Sequence, residues 1–556
     1  MPIVTVAVLA FVVGMITGRR TTSLDAARAF AAAWQKSDFP SMHAELSANA
    51  KHRYPLSDFK QRYDDAEATA TISSIDAGQV SAAKTPGGQE AAAFSVVVHT
   101  NAFGHLVGRM VLPLDGDSVA WSPKLVFPGL RAGERLVRRT RIPSRAPILA
   151  ANGAALAEGP ASARISPIGA AATAITGAVA APKGKQATEQ ERLGFPPDSP
   201  TGTSGLELAF NTRLEGHPGG QLLAVSKRGT RALATTNPIP GKPVHTTINP
   251  SLQQAAVTAL GSTFGGVAVL DANSGEVRGL AGIAFSAPQP PGSTFKVITT
   301  TAALDAGVVH TTDQFPIETN TVVDGRQINN ANNEACGGSF VEAFAQSCNS
   351  VFVPLGPKVG SDRLVGTAEK YGFNSPPSLY NDAALAAVNP ASSTLPKSIP
   401  DDIDLAVTAI GQGEVLATPL EMASVAQTVA NGGVREPNAI VTDKGLGPSQ
   451  KPTRVTSATT ANTLKTLMLG VVNFGTGTAA AIPGIQVAGK TGTAELGPAP
   501  GSTDLQNQRV DAWFTAFAPA SAPKLAVAAM VVNANGDGGT IAAPIVRSVL
   551  TAGLAG

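Results

Sequence analysis

Pro290-Pro291-Gly292-Ser293-Thr294-Phe295-Lys296-Val297-Ile298 is the stretch that decides how this chain reads. Two prolines and a glycine break the chain, and an apolar run through Val297, Ile298, Ala302, Ala303 and Leu304 follows. The break sets Ser293 at a helix N-terminus and Lys296 one turn further along the same face. A serine hydroxyl is a poor nucleophile until a base removes its proton, and a lysine held neutral by desolvation can be that base. Ser293 is therefore the candidate nucleophile and Lys296 the candidate base. Spacing alone would not identify them, because Ser-x-x-Lys recurs at Ser57/Lys60, Ser81/Lys84 and Ser521/Lys524. The first two lie in polar segments without this helix start, and Ser521 is followed by Pro523 and a strand-like run.

Two further strings follow in order: Ser347-Cys348-Asn349, then Lys490-Thr491-Gly492. Ser-x-Asn also occurs at Ser47/Asn49, whereas Lys-Thr-Gly occurs once. Taken singly, such strings are surface serines, solvated lysines or turn glycines. As an ordered set they match the trio of serine enzymes that open β-lactams, with Cys348 where that trio carries aspartate. In that chemistry Ser347 passes a proton toward the leaving amine, and Asn349 offers an amide to substrate and to Lys296. Lys490 supplies positive charge near a substrate carboxylate, Thr491 and Thr493 donate hydroxyls to it, and Gly492 permits close approach.

The flanks predict an α+β fold. Residues 266–271 read as a strand, Asn273-Ser274-Gly275 as a hairpin turn and 276–282 as its partner. Residues 486–495, 511–518 and 525–532 supply three more strands, and 541–550 a terminal helix interrupted early by Pro544. Strands at both ends with helices between them imply an antiparallel sheet.

From residue 243 to 556 the chain resembles the transpeptidase domain of penicillin-binding proteins, a serine β-lactamase-like architecture. Thr246-Thr247-Ile248-Asn249-Pro250-Ser251-Leu252-Gln253-Gln254 resembles that domain's opening, with Asn249 suited to cap a helix and Pro250 to its first position. Gly411-Gln412-Gly413 and Ala417-Thr418-Pro419-Leu420-Glu421-Met422-Ala423 resemble its later helix. The resemblance implies an oxyanion hole made by the backbone N–H groups of Ser293 and Thr493. Upstream, Arg141-Ile142-Pro143-Ser144-Arg145-Ala146-Pro147 and Gly202-Thr203-Ser204-Gly205-Leu206-Glu207 resemble the pedestal, or dimerisation-type, domain of class B members, expected over 131–242. Ile142-Pro143 and Ser144-Arg145 stand where that family has Arg-Gly and Asp-Arg pairs. Trp121-Ser122-Pro123 and Phe127-Pro128-Gly129-Leu130 resemble the exit of the cone-shaped, nuclear-transport-factor-like domain of methicillin-resistance-type members, expected over 21–130. Within it Phe30 and Trp34 read as core, and the domain as a spacer. No glycosyltransferase-like segment precedes these domains, so a monofunctional enzyme is expected.

A chain of 556 residues accommodates this count of domains, and a net charge of +2 gives no reason to expect nucleic acid. Residues 169–200, rich in small residues, read as a loosely ordered insertion. Residues 1–20 are expected to anchor the chain in the cytoplasmic membrane, with the catalytic domain outside. Arg19-Arg20 behind the apolar run favours the opposite orientation, which a basic segment upstream of Met1 would reconcile. Cys348 fills the middle slot of the second string and Cys336 lies twelve residues before it, and an oxidising compartment permits a disulfide between them. Two cysteines and scattered histidines suggest no metal site, and no cofactor is expected.

The expected function is that of a peptidoglycan D,D-transpeptidase acting on stem peptides, acylated by β-lactams and possessing links to the cell-wall synthesis machinery. Transfer of the acyl group to water, as in a D,D-carboxypeptidase or β-lactamase, is the first alternative. A penicillin-binding scaffold without turnover is the second.

Overall fold

The computed structural model describes residues 23–496 and 509–555, so the expected anchor over 1–20 lies outside the described residues. Among the described residues no helix is long and apolar enough to cross a membrane. The chain divides into two compact units. One holds the described residues up to Ser144 with Ala181–Ser199 and Gly216–Pro240; the other holds Arg145–Ala180, Pro200–Glu215 and the described residues from Gly241 onward. The stretch 131–242, expected as one pedestal domain, is thus shared between the two units.

In the first unit, four helices from Ser23–Trp34 to Leu56–Ala70 precede an antiparallel sheet whose longest strands are Glu90–Thr100 and Gly104–Asp115. Their shared core is aromatic. Phe30, Trp34 and Phe59 are buried, and the Trp121 indole N–H donates to the Tyr63 hydroxyl at 3.1 Å, which donates to Leu125 O at 3.3 Å. A buried indole and phenol need such partners. Strands Gly229–Thr236, Gly219–Ser226 and Arg135–Arg141 form a second small sheet of this unit.

The second unit is built on a five-stranded antiparallel sheet. Its order is Val277–Gly282, Gly265–Asp271, Leu525–Ala534, Val510–Ala518, Ala488–Glu495. The period-two rule of a strand sorts its side chains onto two faces. Ala268, Leu270, Ala528 and Met530 join the cluster that contains helices Lys296–Asp305, Pro419–Ala430 and Ala458–Asn473. Val267, Val269, Val527 and Ala529 join the cluster with Pro250–Leu260 and Ala543–Leu554. Covering both faces explains why these strands read as unbroken apolar runs rather than alternating ones. Asn249 caps Pro250–Leu260, its Oδ1 accepting from Ser251 N and Leu252 N at 2.9 and 3.1 Å.

Two expectations are corrected. Pro544 does not interrupt the terminal helix: after a π-turn at Gly538–Ala542 the helix Ala543–Leu554 carries it in the first turn, where its missing N–H has no partner to lose. Residues 169–200 are not loose. They contain helices Ala170–Thr176 and Lys185–Leu193, with Ala171, Ala172 and Ile175 buried, and Gln253 Nε2 donates to Ala171 O at 2.6 Å. The small residues that suggested disorder are those that let this helix lie close to its neighbours.

Within the second unit, the two strings that suggested a pedestal meet in a buried ion triad. Glu207 accepts from Arg145 Nε at 2.8 Å and Arg164 Nε at 2.6 Å, and its side chain is 1% exposed. Removing one member of a buried ionic cluster strands the others without compensation. Glu207→Ala is expected to destabilise this unit by about 3–5 kcal/mol, read as a lowered denaturant midpoint; an unchanged midpoint contradicts the triad's structural role.

Candidate active site

The Ser293 segment begins as a 3-10 turn, Gly292–Phe295, and continues as the helix Lys296–Asp305. Gly292 makes the entrance possible. It sits at φ +52°, its N–H donates to Gly411 O at 2.9 Å, and a Cβ there would lie 2.6 Å from Thr493 O. Gly411, at φ +73°, is packed so closely that a Cβ on it would overlap Gly292 O. Gly492 faces the same seam, where a Cβ would stand 2.6 Å from Pro291 O. Glycine at these positions therefore lets the Ser293 turn lie directly on the edge strand that carries Lys490.

Ser347 ends the helix Phe340–Ala345 in a Schellman turn. The Cys348 N–H returns to Ala343 O at 2.9 Å, the Ser347 N–H to Phe344 O at 3.2 Å, and Ser347 itself sits at φ +61°. Glycine is the usual occupant of that position, and a side chain there costs about 1–3 kcal/mol. Retaining serine at a strained site places its hydroxyl against both lysines. Lys296 Nζ donates to Ser347 O at 2.7 Å, Ser347 Oγ at 3.2 Å and Asn349 Oδ1 at 2.7 Å. Lys490 Nζ reaches Ser347 Oγ at 2.9 Å and Thr491 O at 3.1 Å. Three strings far apart in sequence thus converge on one hydroxyl.

The electrostatics follow from burial. Lys296 and Lys490 are fully buried. Desolvation, then the neighbouring Lys490 charge, holds the Lys296 ammonium well below the usual lysine range, and desolvation brings Lys490 down to about 7. A protonated Lys296 has three hydrogens for its three acceptors; losing a proton frees one lone pair. Ser293 is half-buried one helical turn away, and among the described residues none hydrogen-bonds its hydroxyl.

Thr491 Oγ1 is 2.6 Å from Thr476 Oγ1, and Thr493 Oγ1 accepts from Gly538 N at 3.3 Å. Thr476 was missed in the sequence, although Gly475-Thr476-Gly477-Thr478 carries a visible glycine–threonine alternation. The Asn349 amide is partly committed, since its Nδ2 donates to Asn329 O at 2.9 Å. Cys336 and Cys348 are joined by a disulfide with Cα atoms 5.7 Å apart. Among the described residues no histidine, cysteine and carboxylate cluster suits a metal ion.

A family model described as the penicillin binding protein transpeptidase domain matches residues 265–551, which hold all three strings. This chain belongs to the penicillin-binding protein transpeptidases. A model of the NTF2-like N-terminal transpeptidase domain matches 22–134, and one of the penicillin-binding protein dimerisation domain matches 155–246. Peptidoglycan D,D-transpeptidase PbpA of Mycobacterium tuberculosis is 36% identical over 375 residues, covering 57% of this chain and 73% of PbpA. Two solved structures of penicillin-binding protein A from M. tuberculosis are similar. The ceftriaxone acyl-enzyme has 30% identity and a TM-score of 0.59, over 74% of this chain and 98% of that one. The penicillin G acyl-enzyme has 31% identity and a TM-score of 0.58, over 74% and 100%. As a class B penicillin-binding protein, the chain combines a cone-like N-terminal domain, a dimerisation-type domain and the transpeptidase fold.

Proposed function

We propose that the protein is a serine D,D-transpeptidase of peptidoglycan, acylated at Ser293 by stem peptides and by β-lactams. The observation that carries this reading is the convergence of Lys296, Lys490 and Asn349 around Ser347 beside the Ser293 turn. Ser293 Oγ attacks the penultimate D-alanine carbonyl while Lys296 Nζ takes its proton, and the oxyanion is held by the Ser293 and Thr493 N–H groups. Helix starts leave N–H groups without intrahelical partners, and the Lys490 strand lies at the sheet edge, so both donors come from suitable backbone. As the C–N bond breaks, the Ser347 hydroxyl delivers a proton to the departing D-alanine amine and is replenished through the lysines. The amine of a neighbouring stem then attacks the Ser293 ester, giving a new amide and restoring the hydroxyl. Lys490, Thr491 and Thr493 bind the substrate carboxylate, with Gly492 allowing the strand to lie close.

β-Lactams enter because their strained amide presents the same acyl group. Membrane attachment through residues 1–20, an extracytoplasmic catalytic domain and recruitment by the cell-wall synthesis machinery complete the proposal. Incubating the protein with a D-Ala-D-Ala-terminated stem peptide and an amine acceptor is expected to release D-alanine and form a cross-linked product in equal amounts. D-alanine release with hydrolysed stem alone would favour a carboxypeptidase.

A further inference from the structure

The short helix Asn349–Phe352 begins at Cys348, whose side chain is held in the disulfide and makes no capping bond. The first N–H groups of a helix must find acceptors elsewhere. The Ser350 N–H finds one in Asn330 Oδ1 at 2.8 Å, so a residue from a separate segment takes the capping role that Cys348 cannot fill. Asn330 is 5% exposed and its own amide is committed: Nδ2 donates to Glu318 O at 2.7 Å and Glu334 O at 3.0 Å, and lies 3.2 Å from Ser350 Oγ. Its main-chain N–H donates to Thr319 O at 2.8 Å. The adjacent Asn329 O accepts from Asn349 Nδ2 at 2.9 Å, and Ser350 Oγ donates to Cys336 O at 3.3 Å. Residues 348, 349 and 350 are therefore each tied to the segment 329–336, by the disulfide, the Asn329 carbonyl and the Asn330 side chain respectively.

We propose that Asn330 is a positioning residue of the acyl-transfer site: by capping the Ser350 N–H and fixing the Asn329 carbonyl against Asn349, it aims Asn349 Oδ1 and the Ser347 hydroxyl at Lys296. Asn330 touches none of the reacting groups, and the inference rests on the transpeptidase reading. The Asn349 amide has one oxygen, and its direction is set by where its nitrogen is bound. With Nδ2 on Asn329 O, Oδ1 turns to Lys296 Nζ at 2.7 Å. Asn330→Ala would take away the acceptor of the Ser350 N–H and the donor to Glu318 O and Glu334 O, and the turn that these bonds hold would relax.

The effect has a sign that a general loss of stability lacks. Asn349 Oδ1 accepts from the charged form of Lys296, so its retreat disfavours the ammonium. Lys490, the charged group that meets Lys296 across Ser347 Oγ, pushes in the same direction. Acylation requires neutral Lys296, so its acid limb moves to lower pH while the plateau falls.

The test measures acylation by a labelled penicillin across pH, separating the saturating rate from the half-saturating concentration, for wild type, Asn330→Ala and Asn330→Asp. Asn330→Ala is expected to lower the saturating rate roughly 10-fold or more through misplacement, with little change in half-saturation and the acid limb shifted down. Asn330→Asp keeps the cap acceptor, loses the two donated bonds and adds a negative charge that favours the Lys296 ammonium, so it is expected to lower the saturating rate with the acid limb shifted up rather than down, and it serves where Asn330→Ala does not fold. Variants with the wild-type saturating rate and acid limb, whatever their melting temperature, overturn the positioning role. A wild-type protein that is never acylated would overturn the transpeptidase reading instead.

Discussion

Lys296→Met is expected to lower the rate of acylation by a β-lactam by roughly 10³-fold or more, within the range of a lost general base, while leaving the fold intact. Methionine keeps the unbranched stem in its buried place and removes the amine. The charged amine is costly there: desolvation and Lys490 both depress its pKa in the folded state. Between that folded pKa and the ordinary lysine value the unfolded chain binds more protons, so this group makes stability rise with pH and lowers it at neutral pH. Removing it is therefore expected to leave the melting temperature unchanged or raised at pH 7, and to flatten its rise above that. In the wild type the acylation rate should fall as pH drops through the Lys296 pKa. Below about pH 7 Lys490 also carries its proton and adds positive charge across Ser347. Stopped-flow acylation with parallel melting curves checks both halves. A variant acylated at the wild-type rate would remove Lys296 from the base role.

Gly492→Ala is expected to lower acylation roughly 100-fold, the scale of a displacement near 1 Å in a positioned nucleophile. Its φ lies outside the left-handed region, so backbone conformation does not forbid alanine. Space does. The new Cβ would stand 2.6 Å from Pro291 O, 2.9 Å from Thr294 Cγ2 and 3.0 Å from Trp513 Cβ. Pro291 and Thr294 flank Gly292-Ser293, so the collision is relieved by moving the turn that holds Ser293 off the Lys490 strand. Lys490 and its bonds to Ser347 and Thr491 lie on the strand side of that seam. The substitution should thus separate the nucleophile from the groups around Ser347 without deleting any of them. An alanine variant with wild-type acylation kinetics would show that the seam opens at no catalytic cost.

What could be read in advance follows from how local each signal is. Ser293 and Lys296 share one helical turn behind a Pro-Pro-Gly break, and Lys490-Thr491-Gly492 lies within an apolar strand pattern, so each string carries its own context. The hairpin 265–282 was visible through Asn273-Ser274-Gly275, and the cap of Pro250–Leu260 through Asn249. The rest depends on partners distant in sequence. Asn330 meets Ser350 twenty residues on, Thr476 meets Thr491 fifteen residues on, and Gly292 meets Gly411 across a still longer gap. Nothing near Asn330 in the sequence marks it as a helix cap, because the helix it caps belongs to another segment. The alanine-rich stretch around Ala170–Thr176 misled for the opposite reason: small residues suit both disorder and close packing, and only the Gln253 contact and burial decide between them.

Whether Ser293 carries the acyl group is decided by intact-mass analysis of the protein incubated with a labelled penicillin. One adduct of the penicillin's full mass is expected, placed on Ser293 by peptide mapping, persisting through the measurement and absent from Ser293→Ala. An adduct that forms equally on Ser293→Ala, or no adduct on a folded wild-type protein, would contradict it.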